Sequence, residues 1–339
     1  MKNSTEFEIS QNELIKYRGS EPYVTIPEGV QKVCKGAFRD CRELRQITLP
    51  ESVLEIEEEA FLLCVNLIQV RGGDHVIFIG KDAFARTPWY RFYSENETDW
   101  KEDFLFIGKV LVKARRNLRK AIIPKGTVMI AADAFYERVL LYEAEIPSSV
   151  KYIGWRAFKG CSGLTAISIP GSVKTIGWHC LEGCSRLAFV QLDEGIEVLE
   201  NGVFSSCRSL RQVTIPSSVK SLGGWMFFSC TNLRLVSFRG SVREIQERTF
   251  SGCYELEQVL IPAGLEKIGV EAFYECTNLK HVVLPTTVKE IQRQAFTNDR
   301  YFEELVLPKS LERLEESVFH GCFGIKKLTI PGFLKEIPM

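Results

Sequence analysis

Apolar residues recur along this chain with a period of 23. In the stretch Pro147–Pro170, P-S-S-V-K-Y-I-G-W-R-A-F-K-G-C-S-G-L-T-A-I-S-I-P, apolar side chains fall 3, 6, 10, 11, 14, 17, 20 and 22 residues after the first proline. Pro27 and Pro50 keep this spacing, as do eight prolines from Pro124 to Pro331. Phenylalanine holds offset 11 from Phe38 to Phe319, with Leu181 as its one aliphatic substitute, so the pattern predicts twelve coils. One 23-residue unit cannot bury its own apolar face, and repeats of this length stack into a solenoid with a single elongated core.

Within each coil the segment L-x-x-V-x-I-P alternates apolar and polar residues at period two and stops at proline, which predicts a short strand. Stacking would join these strands into one long parallel sheet. The segment I-G-x-x-A-F-x-x-C-x-x-L spaces its apolar residues by three and four, which predicts a tight turn and a short helical or 3₁₀ piece. Offset 7 holds Gly154, Gly177, Gly223 and Gly269, but Cys34 in the first coil, so the slot does not require a positive φ.

The period lapses once. Phe84 and Phe135 lie 51 residues apart, two periods plus five, and Trp89, Tyr90, Phe92, Tyr93 and Trp100 crowd the interval. Laying residues 104–113 over residues 7–16 brings Pro124 onto Pro27 and Phe135 onto Phe38 without a gap. Both segments read as hairpins around Gln11-Asn12 and Gly108-Lys109 that feed a first coil. Because a terminal coil exposes its apolar face, residues 1–26 are expected to form an amino-terminal cap. The first block of coils then covers 27–90, an insertion with a second cap-like hairpin covers 91–123, and the second block, ending in a truncated coil, covers 124–339.

Composition narrows the function classes. Of 339 residues, 45% are hydrophobic and 25% charged, with 43 basic and 43 acidic side chains. That balance, with no basic run, gives no electrostatic reason to bind nucleic acid or an anionic membrane. No apolar run approaches transmembrane length, so no membrane insertion is expected. The amino terminus lacks the apolar core of a secretory signal, and as it stands the chain reads as cytoplasmic; a cell-surface or secreted protein whose signal had been removed would look the same.

Nine of the eleven cysteines, from Cys41 to Cys322, occupy offset 14. Stacked coils would place them about 4.8 Å apart with parallel Cβ vectors, whereas a disulfide needs converging Cβ atoms roughly 3.8 Å apart. A column of buried, reduced thiols is therefore expected.

The pattern P-x-x-V-x-x-I-G-x-x-A-F-x-x-C-x-x-L-x-x-V-x-I-P resembles the BspA-type, or Treponema-type, leucine-rich repeat from about Pro27 to Pro331. The interruption, Thr87-Pro88-Trp89-Tyr90 followed by Phe106-Ile107-Gly108-Lys109-Val110-Leu111, resembles an insertion common in that family. The resemblance implies an α/β, mostly-β, right-handed leucine-rich-repeat solenoid of about twelve coils, with a parallel sheet on the concave face and short turns or helical pieces on the other. It also implies a bacterial or protozoan source and a role in protein binding or adhesion, and it carries no catalytic residues across.

The outward residues of each predicted strand lie four and two positions before the proline. The row Glu143/Glu145 is acidic, while Phe189, Leu235, Leu260, His281, Val283 and Val306 fall in later rows that are apolar for exposed positions. A contiguous apolar strip of this kind is a candidate protein-binding surface, with scattered β-propensity at surface sites as the alternative. Trp155 and Trp178 share one slot in adjacent coils and could form a second contact patch or pack against neighbouring turns. His179-Cys180-x-x-x-Cys184 contains zinc-ligand types without a zinc-site spacing, and Cys184 belongs to the repeat column. His281 and Glu304 share an outward row, with no nucleophile beside them. No phosphate loop, metal motif or nucleophile elbow is present, so no catalytic, cofactor or metal residue is assigned.

These readings converge on a monomeric, non-catalytic scaffold that binds a protein through its sheet face and needs no cofactor. Two alternatives stand beside it. One is a bacterial surface adhesin for host or matrix components; the other is a hydrolase with its site at 85–123, where Glu95, Glu97, Asp99, Glu102 and Asp103 would have to converge.

Overall fold

A computed structural model of the chain describes residues 6–95, 102–280, 282–301 and 303–331. It is a mostly-β solenoid in which most coils contribute two strands and a string of turns. Long strands end at the proline position, and twelve two-residue strands, from Lys32–Val33 to Arg313–Leu314, lie five and six residues beyond it. This second, short ladder is absent from the sequence reading, which assigns no strand after the proline. Among the described residues the one α-helix is Pro88–Glu95.

The coils fall into two compact units. The first comprises Met1–Leu118, Pro124–Phe135 and Tyr152–Ala157. It begins with an antiparallel hairpin, Phe7–Ser10 against Glu13–Tyr17, turning at Gln11 and Asn12, both with positive φ. Glu13–Tyr17 then starts a parallel ladder through Lys32–Val33, Glu55–Ile56 and Phe78–Ile79. The long strands Tyr23–Thr25, Gln46–Leu49 and Gln69–Gly72 form the other ladder. Between them the rings of Tyr17, Phe38, Phe61 and Phe84 stack at 5.1, 4.9 and 5.0 Å between centroids. Each such buried ring contributes about 1.5–3 kcal/mol through loss of apolar surface to water.

The interruption has its own order within this unit. Thr87 caps the helix, its Oγ1 accepting from the Tyr90 amide at 3.2 Å, and Pro88 takes the first helical position, where a missing amide costs nothing. Trp89 packs on Phe84 with centroids 4.9 Å apart. A second hairpin, Phe104–Ile107 against Val110–Ala114, follows. Its turn is anchored by the Lys109 amide, which donates to the Val76 carbonyl at 2.8 Å. Val110–Ala114 pairs in parallel with Met129–Ile130, which pairs with Tyr152–Ile153.

The second unit comprises Arg119–Ile123, Tyr136–Lys151 and Phe158–Met339. Among the described residues its long strands form three ladders rather than the one continuous sheet expected. Lys120–Ile122, Glu143–Glu145, Ala166–Ile169 and Phe189–Leu192 make the first, Gln212–Ile215, Leu235–Phe238 and Gln258–Leu260 the second, and Glu304–Val306 with Lys327–Thr329 the third. The seam after Leu192 falls where Asp193 replaces the repeat proline. Inside, Phe204, Phe227, Phe250, Phe273 and Phe296 stack at 5.0–5.6 Å.

The expected helical or 3₁₀ piece is instead a run of separate turns. Phe227 and Phe204 accept amides three residues on, from Cys230 and Cys207, but the intervening amides reach across to the next coil: Trp225 to Glu247, Phe227 to Thr249 and Ser229 to Ser251, at 2.8–2.9 Å. Two residues per coil sit in the left-handed region, at offsets 9 and 13, as in Trp225 (φ 57) and Ser229 (φ 56). They interrupt any helix and aim alternate amides outward. The offset-7 glycines serve a different purpose: a Cβ at Gly223 would lie 2.5 Å from the Asn201 amide nitrogen, so the backbones approach too closely there for a side chain.

The cysteine column is buried and unbridged. All eleven cysteines are free, and in the column only Cys41 is partly accessible. Arg138 and Asp299 occupy column slots and are also buried.

Candidate functional site

Strand alternation sets which side chains face outward. In the second unit, Val190, Val213, Val236 and Val259 point inward, with exposures of 0–7%, and the residues on either side of each point out. Phe189 is 51% exposed, Leu260 47%, Val306 52% and Val283 83%. Leu235 is only half-buried, flanked in register by Gln212 and Gln258 on the two neighbouring strands of its ladder. His281 lies outside the described residues, as does the side chain of Glu304, so the His281/Glu304 row does too.

The acidic row differs from the sequence expectation. Lys120 stands in register with Glu143 and reaches both Glu143 at 3.0 Å and Glu145 at 2.8 Å, neutralising much of that patch. The two carboxylates hold its ammonium above the usual lysine range, Glu145 contributing most. Further along, Thr214 and Ser237 hydrogen-bond at 3.0 Å, giving the middle of the face a hydroxyl step.

Three open furrows run over this side. One of about 750 Å³ is lined by Arg234, Leu235, Glu257, Leu260, Lys280 and Val283. A second, of about 470 Å³, lies over Phe189, Gln191, Gln212, Thr214 and Arg239. A third, of about 800 Å³, is lined by Thr165, Arg186, Ser209, Arg211, Asn232 and Arg234. The arginines were missed because they lie outside the strand alternation. They sit at offsets 16 and 18, on the turn entering each strand, and the only sequence signal is the 23-residue spacing of Arg211 and Arg234.

The other candidates resolve into local packing. Trp155 is sandwiched between Lys81 Nζ, 4.0 Å from the ring centroid, and the Arg156 guanidinium at 3.5 Å. Trp178 is 49% exposed. Cys180 and Cys184 are fully buried, and the Cys184 thiol donates to the Phe158 carbonyl at 3.2 Å. His179 Nδ1 lies 3.0 Å from Glu182 Oε2. Among the described residues no three His, Cys, Asp or Glu side chains gather as a metal site. In the interruption Glu102 and Asp103 point to solvent, and Asp103 pairs with Arg115 at 3.1 Å. Glu97 and Asp99, and the side chain of Glu95, lie outside the described residues. No described helix is long and apolar enough to cross a membrane.

A stack of 23-residue coils, most of them giving one strand to an outer face and a phenylalanine and a cysteine to the core, defines a leucine-rich-repeat scaffold. The model of the BspA type leucine rich repeat region matches residues 11–113, 106–234 and 228–339, and the chain belongs to that family. The fold is similar to that of a leucine-rich repeat protein from Bacteroides ovatus ATCC 8483, at 24% identity and a TM-score of 0.55, over 99% of this chain and 93% of that one. It is equally similar to one from Eubacterium ventriosum ATCC 27560, at 24% identity and 0.56, over 95% and 91%. No curated protein matches the chain.

Proposed function

We propose that this chain is a non-catalytic scaffold that captures a protein partner on the long-strand face of its second unit, through Phe189, Leu235, Leu260, Val283 and Val306. The carrying observation is that four of these apolar side chains are 47–83% exposed on one regular face. Exposed apolar residues so aligned are characteristic of interaction surfaces, and solenoids commonly use their extended sheet faces in this way. We read the Phe7–Tyr17 hairpin as the cap of the first block, since Tyr17 closes the phenylalanine stack over Phe38.

An affinity pull-down from the native organism, comparing wild type with the variant Leu235→Ser/Leu260→Ser/Val283→Ser, tests the reading. The expected result is loss of captured protein with a nearly unchanged melting temperature. Equal capture by both proteins, or a large drop in melting temperature, refutes it.

A further inference from the structure

Charge and apolar surface on the second unit are sorted along the coil axis. Beside the short strands, lysines are answered by a carboxylate one coil away: Lys174 and Lys220 by Glu197, Lys267 by Glu244 and Lys289 by Glu266, all within 3.4 Å. Arg186, Arg208 and Arg211 are exposed and, among the described residues, make no ion pair. Arg234 reaches Glu255 and Glu257 only loosely, at 3.8 and 3.6 Å, and keeps 60% of its side-chain surface.

Arg234 also lines both the arginine furrow and the aliphatic furrow, so the two adjoin at that side chain and together offer one channel. The channel is basic at Arg186 and Arg211, and at its other end Leu235, Leu260 and Val283 are flanked by one acid and one base, Glu257 and Lys280. The seam in the long-strand ladder lies under the basic end, between Phe189–Leu192 and Gln212–Ile215. Main-chain groups facing that seam are not engaged in a ladder, as at a sheet edge.

We infer that this channel takes one extended polypeptide segment, laid across the strands, with acidic side chains at one end and branched aliphatic ones at the other. The proposal rests on the protein-binding reading above and adds to it the sequence character of the partner. Coils repeat at about 4.8 Å, so Arg211 and Leu260, two coils apart, are separated by roughly 10 Å along the channel. An extended chain advances about 3.3 Å per residue and covers that distance in roughly three residues. From Arg186 to Val283, four coils, the span is roughly 19 Å, or about six residues. Unpaired guanidinium groups suit carboxylates, which they bind in a two-pronged geometry. A nucleic acid fits less well, because its charge continues at every phosphate while Leu235, Leu260 and Val283 in the aliphatic half, beside Arg234, Glu257 and Lys280, present apolar surface that no phosphate matches.

The test is fluorescence polarisation on the full chain with three labelled heptapeptides: Glu-Asp-Glu-Gly-Leu-Val-Leu, its charge-reversed form Lys-Arg-Lys-Gly-Leu-Val-Leu, and a neutral form Ser-Asn-Ser-Gly-Leu-Val-Leu. Wild type is expected to bind the acidic peptide at least about 10-fold tighter than the charge-reversed one at 50 mM salt, with the gap narrowing at 0.5 M as screening grows. Arg186→Glu/Arg211→Glu is expected to invert that order, and Leu260→Ser/Val283→Ser to weaken acidic and neutral peptides alike. All four positions are exposed, and a denaturation midpoint matching wild type confirms that each variant is folded.

Equal affinity for the three peptides, lost in Leu260→Ser/Val283→Ser, leaves the apolar-face reading standing and overturns the acidic one. Absence of binding by any peptide at 1 mM overturns the present proposal, while the pull-down decides the apolar-face reading separately. A single-stranded oligonucleotide that outcompetes the acidic peptide and ignores Leu260→Ser/Val283→Ser would make the channel a polyanion site. Self-association in sedimentation, abolished by Arg186→Glu/Arg211→Glu, would make its occupant a second copy. Either outcome refutes the proposal.

Discussion

Cys230 donates its thiol to the carbonyl oxygen of Phe204, one coil earlier, at 3.0 Å. The contact repeats along the column, from Cys64 to Phe38, Cys253 to Phe227, Cys276 to Phe250 and Cys322 to Phe296, at 2.8–3.2 Å. Thiol volume fills the core while the S–H donates to the second lone pair of a carbonyl that already serves a turn. Removing one such side chain deletes both effects. Cys230→Ala is expected to cost about 1–2 kcal/mol, read as a shift of the urea midpoint at constant slope.

The same column orders the reactivity of the thiols. Burial holds the Cys184, Cys207 and Cys253 thiols well above the usual cysteine range and pushes Cys230 up to about 12, so none presents a thiolate near neutral pH. Cys34 and Cys41 are the partly accessible ones. Mass spectrometry after brief alkylation at pH 8 should find these two modified first and the buried column modified only on denaturation.

Asp299 stands in a column slot otherwise suited to a thiol, with 0% exposure and, among the described residues, no cation paired with its carboxyl group. Burial raises its pKa well above the usual carboxylate range, an effect only partly offset by the Cys276 backbone. The folded state therefore prefers the protonated acid. Stability from this group is complete below the unfolded pKa near 4 and is lost as pH rises toward the folded pKa. Asp299→Cys, which restores the repeat, should stabilise the protein by about 1–3 kcal/mol at pH 7 and by much less at pH 4. Chemical denaturation at both pH values reads the difference; equal gains at both would refute the assignment.

Two glycines should respond differently to the same substitution. At Gly223 an added Cβ meets the Asn201 amide nitrogen at 2.5 Å, a backbone collision that requires the coils to separate. At Gly264, with φ +91, the nearest atom is 3.9 Å away, so alanine meets only the left-handed backbone penalty of about 1–2 kcal/mol. Gly223→Ala should therefore lower the thermal midpoint clearly more than Gly264→Ala.

Much of this architecture could be read from spacing. Phe38, Phe204 and their counterparts announce the core column because every coil needs the same large ring at the same height, and Cys230 and its counterparts follow for the same reason. The hairpins at Gln11 and Gly108 showed through the overlay of two short apolar pairs. The left-handed positions left no such trace. Asp133, Arg156, His179, Trp225 and Ser317 all occupy offset 9 with positive φ, and no shared residue type marks them. Each left-handed non-glycine residue costs about 1–2 kcal/mol, offset by hydrogen bonds such as Trp225 to Glu247, which exist only once a neighbouring coil is in place.

The sequence by itself therefore determined the class of fold, the period, the core columns and the outward rows, since these follow from apolar periodicity within one chain segment. Tertiary structure alone decided how the outward rows are used. Lys120 neutralises the acidic row, Leu235 is half-buried between its register partners, and Asp193 stands at a break between ladders. Arg234 lies beside the aliphatic strip, and Arg186 and Arg211 line the furrow next to it, only because stacking brings residues 23 apart to within one coil of each other. That proximity is set by inter-coil hydrogen bonds and packing, which no local window of the sequence contains.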